Sequence, residues 1–251
     1  MPDLEGVLAA AERRDGVYYL SDPEPHEARE TRYWQVRARE FRLYSDEIVR
    51  QLPDIPGDHP LKQEWAARAD SLGRLADHVA RFWRDLRVLD LGCGNGVPAT
   101  RAMAERWRVT GVDVSPVQVA RARTLVPDAA FVCGDMAEVE FAPASFDAVV
   151  AFYSIINVPV AEHAGLFGRI ARWLAPGGWL LAVVGRDPWT GIEPDFRGSG
   201  VPMFWSYADV HRYRRWLAEA GFAIAEEGRQ PPRGEPGFAV MLARLGSGPA
   251  A

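Results

Sequence analysis

The stretch that most constrains this chain is residues 88–96, where a short apolar run meets three alternating glycines. Val88-Leu89-Asp90-Leu91 is typical of a buried strand, and Gly92, Gly94 and Gly96 follow it at once. Glycines at such a turn let the backbone pass close to a ligand and adopt dihedral angles that a Cβ would forbid. Because α/β proteins hold nucleotides where a strand turns through glycines into a helix, this stretch predicts a nucleotide site.

Strand and helix patterns alternate regularly from residue 87 onward. Strands are predicted at residues 87–91, 109–113, 130–133, 146–152, 179–184, 222–225 and 238–242. Helices are predicted at about residues 97–107, 115–125, 166–174 and 207–220, and residues 186–207 are interpreted as a long aromatic loop. Such alternation is typical of a mostly parallel sheet with helices on both faces. The last two strands have no helix between them, so they should pair antiparallel.

The first third of the chain has a different pattern, which is helical and aromatic. Apolar residues recur at helical spacing over about residues 27–52 and 61–83. We therefore expect two parts, an N-terminal helical cap at residues 1–84 and an α/β domain at residues 85–246. The aromatic stripes of the cap helices need a partner surface, so these helices should lie over the ligand-binding end of the sheet.

The composition argues against several classes of partner. A net charge of −5 over 251 residues disfavours a broad phosphate-binding surface, so we expect no nucleic-acid partner. No apolar run approaches the roughly 20 residues that a membrane helix needs, and the first residues lack a signal-peptide pattern. Two cysteines cannot form a disulfide framework, which favours the reducing cytoplasm. We expect no bound metal and no membrane partner, and we allow for a homodimer.

Three acidic residues end three successive predicted strands, namely Asp90, Asp113 and Asp135. Ligands bind outside the carboxyl ends of the strands in sheets of this kind. Asp113 lies where an acid chelates ribose hydroxyls, and Asp135 offers its side chain to an adenine amino group, with the backbone amide of Met136 beside it. Each acid could alternatively cap the helix that follows it. A dinucleotide site, the nearest competitor, requires glycine where this chain has Val97.

The glycine pattern and its flanking residues resemble one enzyme family. The pattern is Gly-x-Gly-x-Gly, with Asp90 two residues before the first glycine and Phe152-Tyr153 after the fourth strand. It resembles class I S-adenosylmethionine-dependent methyltransferases over roughly residues 86–244, and within them a bacterial small-molecule branch. The resemblance implies a Rossmann-like, doubly wound α/β fold, a seven-stranded mixed sheet whose last strand is antiparallel. It also implies methyl transfer from S-adenosylmethionine to a small-molecule acceptor.

The resemblance assigns roles to particular residues. The predicted cofactor contacts are Asp90, Gly92, Cys93, Gly94, Gly96, Asp113, Val114, Gln118, Asp135, Met136 and Phe152. The predicted acceptor contacts are Tyr19, Trp34, Tyr153, Asn157, Trp189 and Trp205, of which the aromatic residues could wall an apolar pocket. Tyr153 would lie near the transferred methyl group. The branch often has histidine where this chain has Asn157 and Tyr207.

The need for a catalytic base depends on the acceptor. A neutral amine, a carboxylate or an activated carbon needs little acid–base help, so alignment and exclusion of water would suffice. An alcohol or phenol would require a base, and the predicted catalytic residues are Tyr153 and His211, with His163, Asp187 and Glu193 as further candidates. Two other functions stay open: a nucleic-acid methyltransferase, and a protein that retains the cofactor without transferring its methyl group.

Overall fold

The structure, a computed structural model, describes residues 12–14, 17–19, 86–194, 202–230 and 237–247. Its strands are β1 (Glu12–Arg14), β2 (Val17–Tyr19), β3 (Arg87–Leu91), β4 (Arg108–Asp113), β5 (Ala130–Cys133), β6 (Phe146–Ala151), β7 (Leu174–Val184), β8 (Trp189–Glu193), β9 (Met203–Tyr207), β10 (Phe222–Gln230) and β11 (Phe238–Leu245). Its α-helices are α1 (Ala99–Ala104), α2 (Pro116–Leu125), α3 (His163–Trp173) and α4 (Val210–Glu219). The helices predicted at residues 27–52 and 61–83 lie outside the described residues.

Seven strands form one mixed sheet in the order β10-β11-β7-β6-β3-β4-β5. Strands β3 to β7 run parallel to one another, whereas β11 is antiparallel to both β7 and β10. This order confirms the predicted seven-stranded sheet with its last strand antiparallel. The carboxyl ends of the parallel strands meet at one edge, which we call the carboxyl edge, and ligands bind at this edge in sheets of this kind.

Apolar strands that are covered on both faces build this sheet. Every residue of β6 is buried, as expected for a central parallel strand. Leu89 and Val149 pack with side chains of α3 and α4 on one face. Val88 and Val150 pack with side chains of α1 on the other face. Side chains alternate between the two faces along a strand. Neighbouring residues of each strand therefore pack against helices on opposite faces of the sheet, and the fold is doubly wound.

An ion pair joins β3 and β6 at the opposite edge of the sheet, which we call the amino edge. The buried Asp147 carboxylate accepts hydrogen bonds from the backbone N–H of Arg87 at 2.9 Å and from its Nε and Nη2 at 3.0 and 2.9 Å. The two guanidinium bonds form a bidentate pair, which is the strongest geometry for such groups. This pair fixes the two central strands at the end remote from the carboxyl edge.

A second, four-stranded sheet has the order β1-β2-β8-β9. Strands β8 and β9 form an antiparallel hairpin in which Trp189 pairs with Tyr207. Tyr18 of β2 pairs with Ile192 of β8, so a part of the N-terminal region adds to this hairpin. The prediction of a long loop at residues 186–207 is therefore wrong, because the segment contains two strands.

The burial pattern explains why these residues form strands. Phe204 and Ser206 of β9 are buried, whereas Trp205 and Tyr207 are half-buried, which is the period of two that a strand requires. Prolines and glycines surround the short strands and hide this period in the sequence. Strands β1 and β2 likewise fall within residues 1–84, where the sequence predicts a helical cap.

The chain segments that lead into β8 and out of β9 meet at the end of β7. The backbone N–H of Val210 donates to the carbonyl oxygen of Arg186 at 3.0 Å. Arg186 follows β7 closely and Val210 is the first residue of α4. The β8–β9 hairpin therefore leaves the main sheet and returns to it at a single point of the carboxyl edge.

The described ranges also exclude two kinds of feature. None of their helices combines the length and the apolar composition that a membrane span requires. In the same ranges, His, Cys, Asp and Glu side chains do not gather in groups of three or more that could hold a metal ion.

Candidate cofactor and acceptor site

The glycine loop between β3 and α1 lies at the carboxyl edge in a backbone conformation that L side chains rarely adopt. Gly92, Gly94 and Gly96 have φ angles of 75°, 57° and 80°. A Cβ on Gly92 would lie 2.2 Å from the Cβ of Ser154, so a larger residue cannot fit there. A Cβ on Gly94 would approach only Nε2 of Gln118, at 3.6 Å. Gly92 therefore serves packing, and Gly94 leaves a cradle beside a polar side chain.

Asp113 ends β4 next to this loop, and the backbone holds its carboxylate. Its Oδ2 accepts a hydrogen bond from the N–H of Gly94 at 2.9 Å, and its Oδ1 accepts one from the N–H of Ser115 at 2.9 Å. The residue is 7% exposed. Each carboxylate oxygen can accept more than one hydrogen bond, so this fixed carboxylate can still receive hydroxyl donors from a ligand. Val114 follows it at the same edge and is half-buried.

Asp90 lies deeper than Asp113. It is 2% exposed, and its Oδ2 accepts a short hydrogen bond of 2.6 Å from Oγ1 of Thr100 in the first turn of α1. Asp90 therefore ties the end of β3 to the helix that follows the glycine loop. Thr100 is a residue that the sequence interpretation missed, because a hydroxyl ten positions after an acid carries no signal of its own.

Asp135 and Met136 follow β5 and flank the glycine loop. Oδ1 of Asp135 accepts a hydrogen bond from the N–H of Ala137 at 2.8 Å, which leaves Oδ2 available as an acceptor. Met136 is buried, and its Cε would lie 3.2 Å from a Cβ on Gly92. The N–H of Gly134 also donates to the backbone carbonyl of Asp113 at 3.0 Å. The predicted residues of β4 and β5 therefore meet at one edge.

Gln118 lies in the first turn of α2, and its side chain faces the glycine loop. Its backbone N–H donates to Oγ of Ser115, the N-cap of the helix, at 3.3 Å. Its Oε1 is buried and has no hydrogen-bond partner. Buried polar groups in proteins are nearly always paired, so the orphaned oxygen and the cradle at Gly94 fit a polar ligand such as the ribose of a nucleoside.

The two cysteines differ in environment. Burial raises the pKa of the Cys93 thiol well above its usual range, and the charges of Asp113 and Asp90 act in the same direction. Its Sγ lies 3.6 Å from the carbonyl oxygen of Gly94, and a Cβ on Gly111 would approach it to 2.8 Å. Cys93 therefore contributes packing and its backbone to the loop. Cys133 is exposed.

The segment after β6 places the strained residue Tyr153 at the carboxyl edge. Phe152 before it is buried, and Tyr153 has a φ of 53°. A positive φ is uncommon for a bulky side chain and concentrates at functional sites. Ser154 holds this turn, because its Oγ donates to the carbonyl oxygen of Leu91 at 2.6 Å.

Five half-buried rings, which we call the aromatic cluster, extend from Tyr153 to the β8–β9 hairpin. Its members are Tyr153, Trp189, Trp205, Tyr207 and Phe238. The rings of Tyr153 and Phe238 meet edge-on with centroids 5.4 Å apart. Trp205 stacks on Phe238 and on Trp189, with centroids 6.2 Å apart in both cases. The structure therefore brings three predicted acceptor residues together.

Phe238 joins these three residues, and the sequence interpretation assigned it only to a strand. It is the first residue of β11, which begins at the carboxyl edge because β11 is antiparallel to β7. Beside the cluster, Nε1 of Trp205 donates to Oε2 of Glu193 at 3.2 Å. The cluster thus carries one carboxylate next to its rings.

Asn157 does not have the place that the sequence predicts for an acceptor contact. It is 2% exposed, and its Nδ2 donates to the carbonyl oxygen of Phe204 at 2.6 Å. A second bond joins the same two segments, because the N–H of Val160 donates to Oγ of Ser206 at 2.9 Å. Asn157 is therefore a buried support for β9.

The two candidate histidines, His163 and His211, also lie outside the aromatic cluster. His211 is exposed on α4, where its Nδ1 lies 3.3 Å from Nη1 of Arg214. His163 is fully buried, with Nε2 at 2.8 Å from the carbonyl oxygen of Val158 and Nδ1 at 3.0 Å from the hydroxyl of Tyr213. His163 is therefore structural, and the geometry does not support His211 as a catalytic residue. Of the remaining acceptor predictions, Tyr19 is described only as backbone in β2, and Trp34 lies outside the described residues.

Comparison with known proteins identifies the domain. Residues 88–178 match a methyltransferase domain family. Over 99 residues the chain is 42% identical to trans-aconitate 2-methyltransferase of an Acidovorax species, which covers 38% of this chain and 36% of that enzyme. Over 127 residues it is 41% identical to 27-O-demethylrifamycin SV methyltransferase of Amycolatopsis mediterranei, which covers 47% of this chain and 46% of that enzyme. The chain thus spans less than half of the length of either relative.

A solved structure extends the likeness in fold to most of the chain. It is the 1,6-didemethyltoxoflavin-N1-methyltransferase of Burkholderia thailandensis with bound 1,6-didemethyltoxoflavin and S-adenosylhomocysteine. It is 21% identical, with a TM-score of 0.62, over 94% of this chain and 99% of that chain. Together with the glycine loop and the strand order, these matches show that the chain carries a class I S-adenosylmethionine-dependent methyltransferase domain.

Proposed function

We propose that this protein transfers a methyl group from S-adenosylmethionine to a small-molecule acceptor that binds against the aromatic cluster. The observation that carries the proposal is the position of Tyr153. This residue follows β6 beside the glycine loop, and its ring contacts Phe238 of the cluster. It therefore connects the cofactor side of the carboxyl edge with the apolar side.

The described residues fit the polar parts of the cofactor. Asp113 would accept hydrogen bonds from the ribose hydroxyls, and Oδ2 of Asp135 would accept one from the adenine amino group. The cradle at Gly94 would let the backbone lie against the methionine portion. When bound, S-adenosylmethionine supplies a methyl group on a positively charged sulfur, which a nucleophile can attack directly.

The chain's own contribution would be alignment and exclusion of water. Rings that hold an acceptor in line with the methyl group reduce the entropic barrier of a two-molecule reaction. An apolar wall also keeps water from the reacting atoms, and ring faces stabilise a nearby cation. If the acceptor must lose a proton, the carboxylate of Glu193 or the ionised phenol of Tyr153 could receive it.

The comparisons support a small-molecule acceptor. The two curated relatives act, by their names, on trans-aconitate and on 27-O-demethylrifamycin SV, and the solved structure holds 1,6-didemethyltoxoflavin. These molecules differ widely in structure, and what they share is that each is a small molecule. The net charge of −5 further disfavours a nucleic-acid acceptor. A cytoplasmic location and a homodimer stay predictions.

The test is an acceptor screen with methyl-labelled S-adenosylmethionine. The purified protein is incubated with trans-aconitate and with panels of aromatic amines, phenols and carboxylic acids, and S-adenosylhomocysteine is quantified. We expect acceptor-dependent release and transfer of the label to one chemical class, both reduced in an Asp113→Ala control at a donor concentration below saturation. Tight binding of S-adenosylhomocysteine without release on any acceptor would favour the cofactor-retaining alternative. Salt-sensitive label on RNA would favour the nucleic-acid alternative.

A further inference from the structure

The β8–β9 hairpin carries a carboxylate beside the rings of the aromatic cluster. Nε1 of Trp205 donates a hydrogen bond to Oε2 of Glu193 at 3.2 Å, and Glu193 is half-buried. The indole has only this one donor, so the bond fixes the carboxylate relative to the ring. A carboxylate accepts several hydrogen bonds through its two oxygens. The bond from Trp205 therefore uses only a part of the capacity of Glu193 to bind donors.

The register of the hairpin places the rings and the carboxylate on one face in a fixed order. Three cross-strand pairs share this face, because residues two positions apart on a strand project to the same side. In order from β7, they are Trp189 with Tyr207, Gly191 with Trp205, and Glu193 with Met203. Gly191 is buried and has no side chain, so it leaves room for the indole across from it. The rings thus come first, and the carboxylate lies farther along the hairpin.

This order gives the aromatic cluster an apolar end and a charged end. Tyr153, on the cofactor side of the carboxyl edge, contacts Phe238, and Phe238 stacks on Trp205. The rings therefore lead from the cofactor side to the carboxylate of Glu193. Stacked rings favour a flat aromatic ligand, and ring faces and a carboxylate both attract positive charge. An anionic ligand would instead be repelled by Glu193.

We propose that the acceptor is a flat aromatic molecule with a cationic or N–H-bearing nitrogen at its polar end, and that the carboxylate of Glu193 binds this nitrogen. The assignment rests on the proposed function and names its acceptor class. A nucleophilic atom at the other end of the molecule attacks the methyl carbon with its lone pair. The carbon–sulfur bond breaks, the sulfur keeps the electron pair, and a proton on the attacking atom passes to water. Anionic acceptors such as tricarboxylates are excluded.

The test compares three ligands that share one flat ring system and differ in charge. They are naphthamidine, which is cationic, naphthamide, which is neutral, and naphthoate, which is anionic. Each is titrated by calorimetry into the full-length protein saturated with S-adenosylhomocysteine. We expect naphthamidine to bind about tenfold more tightly than naphthoate or better, as for one hydrogen bond to a charged group. Naphthamide should lie between the two.

Two variants assign the discrimination to the carboxylate. Glu193→Gln removes the charge but keeps the size, so it should bring the affinities for naphthamidine and naphthoate to within about threefold of each other. Trp205→Phe keeps a ring but removes the N–H that fixes the carboxylate, so it should reduce the discrimination by about two- to fivefold. The control is Glu219→Gln, which changes the net charge equally at an exposed residue of α4 and should leave the discrimination unchanged. Wild-type affinity for S-adenosylhomocysteine shows that each variant is folded.

Several results would overturn this assignment while the proposed function still stands. Equal affinity of the wild type for naphthamidine and naphthoate would do so, as would the absence of binding by all three ligands. Unchanged discrimination in Glu193→Gln would show that Glu193 only supports the ring of Trp205. Methyl transfer to trans-aconitate in the acceptor screen would contradict the exclusion of anions. A wild type that fails to bind S-adenosylhomocysteine would overturn the assignment and the proposed function together.

Discussion

Nδ2 of Asn157 lies 2.6 Å from the carbonyl oxygen of Phe204, and both residues are buried. The bond joins the segment after β6 to the β8–β9 hairpin. Oγ of Ser206 accepts a second bond from the same segment, from the N–H of Val160. Trp205 lies between the two bonded residues of β9. Two hydrogen bonds, one on each side of Trp205 in the chain, therefore fix this part of β9 to the segment that follows Tyr153. They keep the ring of Trp205 in its place in the aromatic cluster.

The first prediction concerns this support. Asn157→Ala should raise the KM of an acceptor found in the screen by about fivefold or more, because the ring of Trp205 loses its fixed position. The free energy of unfolding should fall by about 0.5–1.5 kcal/mol, since one buried hydrogen bond between the two segments is lost. Cofactor affinity, measured by calorimetry, should stay within about threefold.

The matched control for this support is Asp147→Asn at the amino edge. It weakens the ion pair with Arg87, which lies remote from the aromatic cluster, so it should lower stability while the KM of the acceptor stays at the wild-type value. If both variants raise the KM equally, Asn157 acts only through global stability.

The second prediction concerns the ribose. Asp113→Ala should weaken binding of S-adenosylhomocysteine by about tenfold or more, because hydrogen bonds to a charged group contribute about 1.5–3 kcal/mol. Calorimetry on the folded variant checks this value. The control is Asp128→Ala, which removes an exposed acid shortly after α2 and should leave the affinity for S-adenosylhomocysteine unchanged. An unchanged affinity in Asp113→Ala would remove the assignment.

The third prediction concerns the acceptor wall. Trp189→Ala should raise the KM of the acceptor or lower kcat, because the ring stacks on Trp205 in the aromatic cluster. Cofactor affinity should change by less than about threefold, well under 1 kcal/mol. The control is Trp179→Ala, since Trp179 lies at the amino edge beneath Arg244. Loss of thermal stability with unchanged acceptor kinetics in Trp189→Ala would place the acceptor elsewhere.

The fourth prediction separates two glycines of one loop. Gly92→Ala should lower the free energy of unfolding by about 3 kcal/mol, because a positive φ and a 2.2 Å approach to Ser154 both oppose a Cβ. A Cβ on Gly94 makes no such close contact, so Gly94→Ala should lower the free energy of unfolding by only about 1–2 kcal/mol. It should nevertheless weaken the binding of S-adenosylhomocysteine, because the methyl fills the cradle. Urea denaturation and calorimetry measure the two effects, and equal destabilisation would contradict the packing argument.

The fifth prediction uses the two cysteines as internal controls for each other. Iodoacetamide at about pH 8 should modify the exposed Cys133 and leave Cys93 intact, since a thiol reacts as its thiolate and burial raises the pKa of Cys93. Mass spectrometry of tryptic peptides distinguishes the two sites. Alkylation of Cys93 at the same rate as Cys133 would show that the glycine loop opens in solution.

The sequence predicts the main sheet well because its signals are local. The apolar run of β6 indicates a buried strand, and the structure buries it along its whole length. The alternation of strands with helices predicts a parallel sheet. That topology alone brings Asp113 and Asp135 to one edge, although they are distant in sequence. The cofactor side of the site is therefore largely a consequence of short-range patterns.

The acceptor side depends on contacts that no local pattern carries. Tyr18 pairs with Ile192 across most of the chain, and Asn157 reaches Phe204 over 47 positions. Asn157 is polar and follows a strand, so it resembles a ligand contact until its burial is known. Phe238 reads as an ordinary strand residue, and only the antiparallel direction of β11 brings it to the carboxyl edge.

The hydrogen bond from Val210 to Arg186 joins the two chain segments that lead into β8 and out of β9. The entropy of closing a loop grows only with the logarithm of its length, by about 0.6 kcal/mol per doubling, so the chain between these two residues can change in length and sequence while β7 and α4 keep their places. The family match ends at residue 178, before that hydrogen bond. Under the proposed function, evolution can retarget such an enzyme by exchanging one hairpin, and the site for the methyl donor is inherited intact.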